Sequence, residues 1–166
     1  MLVDAFLFII PAYVANASPV LFGGGRPLDF GKKFRDGRPI LGKGKTIRGT
    51  VLGILCGTAA YFLSAPFLAA YPLASQLTAG SAFLLASGTI FGDIFGSFIK
   101  RRLGFTSGAN ASILDQIMFI IFALLFVSIR IHVNPVQAAF LILVTPLIHR
   151  SFNILAYLAK LKEVPY

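Results

Sequence analysis

Three short stretches of this 166-residue chain carry side chains suited to phosphate and metal chemistry. The first is LGKGKTIRG, Leu41 to Gly49, where Gly42 and Gly44 free the backbone and Lys45, Thr46 and Arg48 supply charge and a hydroxyl. Its Gly-Lys-Thr matches the end of the phosphate loop G-x-x-x-x-G-K-[ST], but Pro39 stands where that pattern needs its first glycine. The stretch is therefore not a Walker loop, although its residues still suit phosphate. The second is GDIFGSFIKRR, Gly92 to Arg102, in which Asp93, Ser97 and Lys100 fall on one helix face. The third is SILDQIM, with Asp115 opening a further apolar run.

Each acid has a functional and a structural reading. Asp93 sits seven residues, about 10 Å at helical rise, before Lys100. A carboxylate at membrane depth is costly unless paired, hydrated or bound to a cation. A structural pair with Lys100 or Arg48 is the alternative. Asp115, at a helix start, either joins Asp93 in holding a metal or complements the helix dipole. Two carboxylates beside a Gly-Lys loop and the Lys100-Arg101-Arg102 cluster are what a Mg²⁺–nucleotide site requires. Mg²⁺ takes one or two carboxylates plus substrate phosphates and water, and Lys and Arg neutralise the remaining charge. His132 and His149 form no plausible zinc pair, and Cys56, the single cysteine, permits neither an internal disulfide nor a cysteine metal site.

The elements that must position these residues are membrane spans. The chain is 57% hydrophobic and 13% charged, with a mean hydropathy of +0.82. That is too apolar for an ordinary soluble domain. From Gly49 to Gly92 no Asp, Glu, Lys or Arg occurs, a run long enough for two spans of about 20 residues each. SAPFLAAYPLASQ, with Pro66 and Pro72, reads as the turn between them. Residues 2–22, 113–131 and 135–159 supply three more spans. The expectation is an all-α integral membrane protein of five transmembrane helices, with residues 1–166 as one membrane domain. Residues 23–47 form a basic, Gly-rich loop within it. Gly49, Gly53 and Gly57 on one helix, and Gly88, Gly92 and Gly96 on the next, are ladders that permit close helix packing. The ladders are expected to bring Thr46 and Arg48 towards Asp93.

Charge orients the bundle. The formal net charge is +9, and eight of the 15 Lys and Arg residues lie between the first two spans. With five spans, that loop, residues 100–102 and the C-terminal Lys160 and Lys162 all fall on one side. The positive-inside rule makes it cytoplasmic, with the N-terminus outside and the C-terminus cytoplasmic. Cations that flank membrane spans without a nucleic-acid motif give no support to nucleic-acid binding. They fit topology and anionic lipid instead. In the last span, HRSFN places Arg150 and Asn153 at about the layer of Asp93. There they either hold a lipid phosphate or the nucleotide base, or Arg150 merely snorkels towards the cytoplasm.

GDIFGSFIKRRLG followed by LDQ resembles the signature of the integral-membrane phosphatidate cytidylyltransferases. With GKGKT-x-RG ahead of a helix, it resembles still more closely their archaeal counterparts, the CDP-archaeol synthases. The resemblance covers most of the chain. It implies transfer of the cytidylyl group of CTP to an isoprenoid ether-lipid phosphate, 2,3-bis-O-geranylgeranylglycerol 1-phosphate, with release of pyrophosphate. It also implies Mg²⁺. By motif position Asp93 is the main metal-binding acid and Asp115 the second, while Ser97, Lys100 and Arg101 bind phosphate. Two departures stand out. FTSGANASI lacks the glycine-histidine-glycine element of the broader family, and Met118 stands where that family has a further acid. One Mg²⁺ held by Asp93, with Asp115 ligating or orienting water, is the arrangement expected here. Two other functions remain open: a CTP-dependent polyprenol kinase using the same site, and a small ion or solute transporter with Asp93 as its cation site.

Overall fold

The computed structural model describes residues 2–106 and 112–158. Among them five α-helices follow one another: α1 (Leu2–Phe22), α2 (Ile47–Leu68), α3 (Ala79–Arg102), α4 (Ser112–Val127) and α5 (Pro135–Leu158). A short 3-10 turn, Ala74–Gln76, lies between α2 and α3. Helices α1, α2 and α3 are each long and apolar enough to cross a membrane, and α4 and α5 contain the shorter apolar runs Gln116–Val127 and Pro135–Ile148. In lipid every backbone N–H and C=O must be satisfied within the segment, which is why such sequences become helices. The described residues contain no strand beyond two isolated bridges in the α1–α2 connection. The fold is that of an all-helical integral membrane protein.

Large apolar side chains point outwards as well as inwards. Leu63, Phe67 and Leu143 are among the most exposed residues, as a lipid-facing surface requires. The interior is built by Phe8 and Ile9 of α1, Leu85 of α3, Phe119 and Ile120 of α4, and Leu141 of α5, all fully buried. Tyr13 Oη and Thr145 Oγ1 lie 3.0 Å apart and tie α1 to α5 inside this core.

The glycine ladders pack, but not against each other. A Cβ on Gly57 would stand 2.7 Å from both Ala15 Cβ and the Pro11 carbonyl oxygen, and 2.8 Å from Ala86 Cβ. A Cβ on Gly53 would stand 2.6 Å from Ile90 Cδ1 and 3.1 Å from the Ala15 carbonyl oxygen. The α2 ladder therefore seats α2 on α1 and touches α3 through Ala86 and Ile90. On α3, Gly88 abuts the backbone of Phe122 and Ala123, and Gly92 that of Met118 and Phe119. The α3 ladder faces α4, because its glycines lie roughly a quarter-turn or more from the side of α3 that carries Ala86 and Ile90.

Several boundaries differ from the sequence expectation. Helix α2 continues through Pro66 to Leu68, so the turn begins only at Ala69. Proline fixes a helix-compatible φ and removes one donor near the last turn, which an apolar helix tolerates. Lys100, Arg101 and Arg102 all belong to the last turn of α3, where cations complement the helix C-terminus. Helix α4 ends at Val127, short of the expected residue 131.

The two ends of the bundle are tied differently. At one end, buried Asp4 accepts from the Leu73 amide at 3.1 Å and the Ala74 amide at 2.8 Å, pinning the start of α1 to the α2–α3 connection. At the other end, residues 23–46 return on themselves. The Leu28 amide donates to the Lys45 carbonyl at 2.7 Å and the Ile47 amide to the Arg26 carbonyl at 3.1 Å. A second, smaller hairpin pairs Lys33 with Pro39 around Gly37, whose φ of +76° suits the reversal.

Candidate functional site

The basic loop lands on the Asp93 helix. Lys45 Nζ donates to Asp93 Oδ2 at 2.6 Å, joining residues 48 positions apart. Both side chains are partly accessible, 25% for Lys45 and 19% for Asp93. The partner of Asp93 is thus neither Lys100 nor Arg48, the two structural pairings open from sequence. Arg48 is exposed at the start of α2.

Local backbone chemistry fixes Lys45 in place. Thr46 is the N-cap of α2, and its Oγ1 accepts from the Gly49 amide at 3.1 Å. That hydroxyl serves the helix end, and removing such a cap costs about 1 kcal/mol. Gly42 takes φ +93°, and its amide donates to Asp29 Oδ2 at 3.0 Å. The same carboxylate oxygen accepts from Leu41, and Oδ1 accepts from Gly31, at 2.9 Å each. Burial pushes the Asp29 carboxyl up, but the Gly42, Leu41 and Gly31 amides outweigh it and hold it below its ordinary value of 3.8. Gly44 faces open space. Gly42 and Thr46 thus shape the loop, whereas Lys45 presents charge.

The end of α3 carries two arginines with opposite fates. Arg102 Nη1 donates to Asp36 Oδ1 at 2.8 Å and Nη2 to the Pro39 carbonyl, and its guanidinium stacks over Phe34 and Phe98. Arg38 Nη1 in turn donates to the Arg102 carbonyl at 2.6 Å, capping α3 from the loop side. Together they clamp the loop to α3. Arg101 is only 4% exposed, yet its Nε and Nη1 have no hydrogen-bond partner among the described residues. A guanidinium keeps its charge, and burying it unpaired is costly. Arg101 therefore carries buried donors that the described residues do not use. Ser97 and Lys100, also buried, lie on the Asp93 side of the same helix.

The structure thus brings Lys45 to Asp93 and puts Ser97, Lys100 and Arg101 on the same helix. Arg150 is exposed on α5 and makes no hydrogen bond or ion pair with them among the described residues. Asp115 and Asn153 are carried by α4 and α5, but their side chains lie outside the described residues. Asp29, Asp36 and Arg38 were not singled out from sequence, and Arg102 was read only as part of the cationic cluster. Asp29-Phe-Gly31 does hold a readable signal, an Asp two residues before a glycine that turns the chain. Nothing local marks Arg38 or Arg102 as a clamp. Among the described residues no group of three or more His, Cys, Asp or Glu side chains gathers.

Known proteins share both sequence and architecture. A family model for CarS-like CDP-archaeol synthase matches residues 1–166. CDP-archaeol synthase of Methanococcus aeolicus is 45% identical over 171 residues, covering 99% of this chain and 96% of its own. That of Pyrococcus horikoshii is 47% identical over 169 residues, covering 99% and 97%. A solved structure of an intramembrane enzyme for archaeal membrane lipid biosynthesis superposes with a TM-score of 0.81 at 37% identity, covering 93% of this chain and 95% of that one. With both signatures on adjoining elements and full-length similarity to these relatives, this chain belongs to the CDP-archaeol synthase family.

Proposed function

We propose that this protein transfers the cytidylyl group of CTP to 2,3-bis-O-geranylgeranylglycerol 1-phosphate, giving unsaturated CDP-archaeol and pyrophosphate. Family membership supports the reaction, and the buried Arg101, whose Nε and Nη1 have no partner among the described residues, is the observation that carries the site. A triphosphate supplies the anion this guanidinium lacks. Lys45, at the mouth of α2, reaches the same end of the bundle. The abundance of Lys and Arg at that end makes it cytoplasmic under the positive-inside rule, so CTP enters from the cytosol and the lipid between helices.

In the reaction a non-bridging oxygen of the lipid phosphate attacks the α-phosphorus of CTP. The new P–O bond forms as the bond from the α-phosphorus to the α,β-bridging oxygen breaks, and pyrophosphate leaves with that electron pair. The second pKa of a phosphate monoester is about 6, so the nucleophile is already anionic at neutral pH and needs no general base. The protein supplies alignment and charge. Arg101 and Lys100 neutralise the phosphates, Ser97 offers a hydroxyl at the same face, and Lys45 holds the triphosphate from the loop. Arg150 and Asn153 are proposed contacts for the lipid head.

Mg²⁺ is the proposed cofactor, and the donors fit it. Asp93 Oδ2 holds Lys45 while Oδ1 holds no hydrogen bond among the described residues. A hard cation of this kind needs one or two carboxylates and takes its remaining ligands from phosphate and water. Asp93, with Asp115 as second acid, would hold it, and the bound ion would neutralise phosphate charge.

Incubation with CTP labelled in the base or in the γ-phosphate, Mg²⁺ and a panel of lipid phosphates tests this reading. Base label in the lipid product is the expected result. The γ-label in lipid marks a kinase instead. No CTP consumption with any lipid rejects both.

A further inference from the structure

We infer that Lys45 keeps the Asp93 carboxylate closed to free metal, so that the divalent cation enters with the nucleotide rather than before it. The inference rests on the reading of Asp93 as a metal ligand and concerns how that site is controlled.

The ion pair joins the two halves of the site directly. Its backbone is not free to withdraw. The Lys45 carbonyl accepts from Leu28, its amide donates to the Gly42 carbonyl at 3.3 Å, and Thr46 caps α2 immediately after it. Asp29 fixes Gly42 and Leu41 on the other side. Only the flexible lysine stem moves, so Nζ is left to choose between Asp93 and another anion within its reach. Asp93 itself cannot retreat, because it stands on α3 one residue after Gly92, which abuts the α4 backbone.

A bare divalent cation arriving at Asp93 meets an ammonium bonded to that carboxylate. The two cations compete for one anion in a site that is four-fifths covered, where solvent screens them poorly. A cation carried on a triphosphate changes the balance. The phosphates give Lys45 a second partner and Arg101 its missing one, which releases Oδ2. Metal and nucleotide then favour each other's binding, and the coupling is reciprocal. Pairing also keeps the carboxylate neutralised while the site is empty, which a lone acid at this depth would lack.

The test is Mn²⁺ binding to the purified protein in neutral detergent, read by electron paramagnetic resonance with and without α,β-methylene-CTP. For the wild type, the nucleotide should tighten Mn²⁺ binding about tenfold or more, within the usual range of site coupling. Lys45→Met should raise nucleotide-free Mn²⁺ affinity by about tenfold and shrink the nucleotide's effect. Lys45→Gln serves the same purpose if the methionine variant does not fold. Lys43→Gln removes an exposed loop cation that does not pair with Asp93, and should leave Mn²⁺ affinity unchanged. Nucleotide-free affinity in both Lys45 variants equal to or below the wild type would overturn the inference. So would an equal gain in Lys43→Gln, which would mean only a general loss of positive charge. Adding Asp93→Asn to Lys45→Met separates the two readings: a gain that survives without the carboxylate rejects Asp93 as the ligand instead.

Discussion

Asp4 and Asp93 are both carboxylates inside helices of a membrane protein, and they are satisfied in opposite ways. Asp4 accepts from two backbone amides of the α2–α3 connection. Those donors are part of the chain's path and cannot leave without unmaking it. Asp93 accepts from one lysine side chain, a flexible stem on a backbone that is hydrogen-bonded in place. The first acid is spent on the fold, and the second is the one proposed to serve the reaction. The same contrast divides Arg102, bonded to Asp36 and Pro39 and stacked on two rings, from Arg101, buried with donors to spare. Burial alone does not mark a functional charge in this molecule. On the proposed reading, what marks it is whether the partner is removable or absent.

Exchanging the two acids breaks the comparison most sharply. Asp93→Asn should cut CDP-lipid formation by about 10³-fold, in line with the loss of a key charge-stabilising group, while the protein elutes and melts as the wild type does. Near-normal turnover would put Asp93 with Asp4 among the structural acids. Arg101→Met should cost about 10²-fold in CTP turnover yet leave the nucleotide-free protein as stable as before or more so, because a buried unpaired charge is removed. A drop in its melting temperature would mean that the guanidinium already has a structural job. Asp4→Ala should do the reverse of Asp93→Asn. It strands two amides and should destabilise the fold by about 3 kcal/mol, with turnover per folded molecule preserved, as thermal melts and active-site titration would reveal.

The smallest expected effect concerns the loop. The folded pKa of Asp29 lies below its unfolded value of 3.8, so its contribution is complete above that value and fades as pH falls through the lower folded one. Hydrogen exchange of residues 29–42 should accordingly stay slow in mild acid and speed up only below the ordinary carboxylate range. Asp29→Asn should remove that acid limb and cost about 1 kcal/mol at neutral pH. An unchanged limb would place its origin in another group.

The sequence by itself determined the medium, the helices and most of the chemistry. An apolar run without charges has no other stable form in lipid, so the expected spans lie within a few residues of the helices α1, α2, α3 and α5. The signatures around Lys45 and Asp93 carried the family, because their residue types answer to phosphate and cation whatever the path between them. Three things were decided only by tertiary structure. The α3 glycines seat α4 and not α2, which depends on the angular position of each residue on a helix whose neighbours the sequence does not name. Proline at 66 stops nothing, because the surrounding apolar helix bears the loss of one donor. Finally, Lys45 pairs with Asp93, Arg102 is clamped, and Arg101 Nε and Nη1 have no partner among the described residues. Which of several adjacent cations meets which anion is a matter of distance and direction across 48 or more residues. No spacing within a single element fixes that.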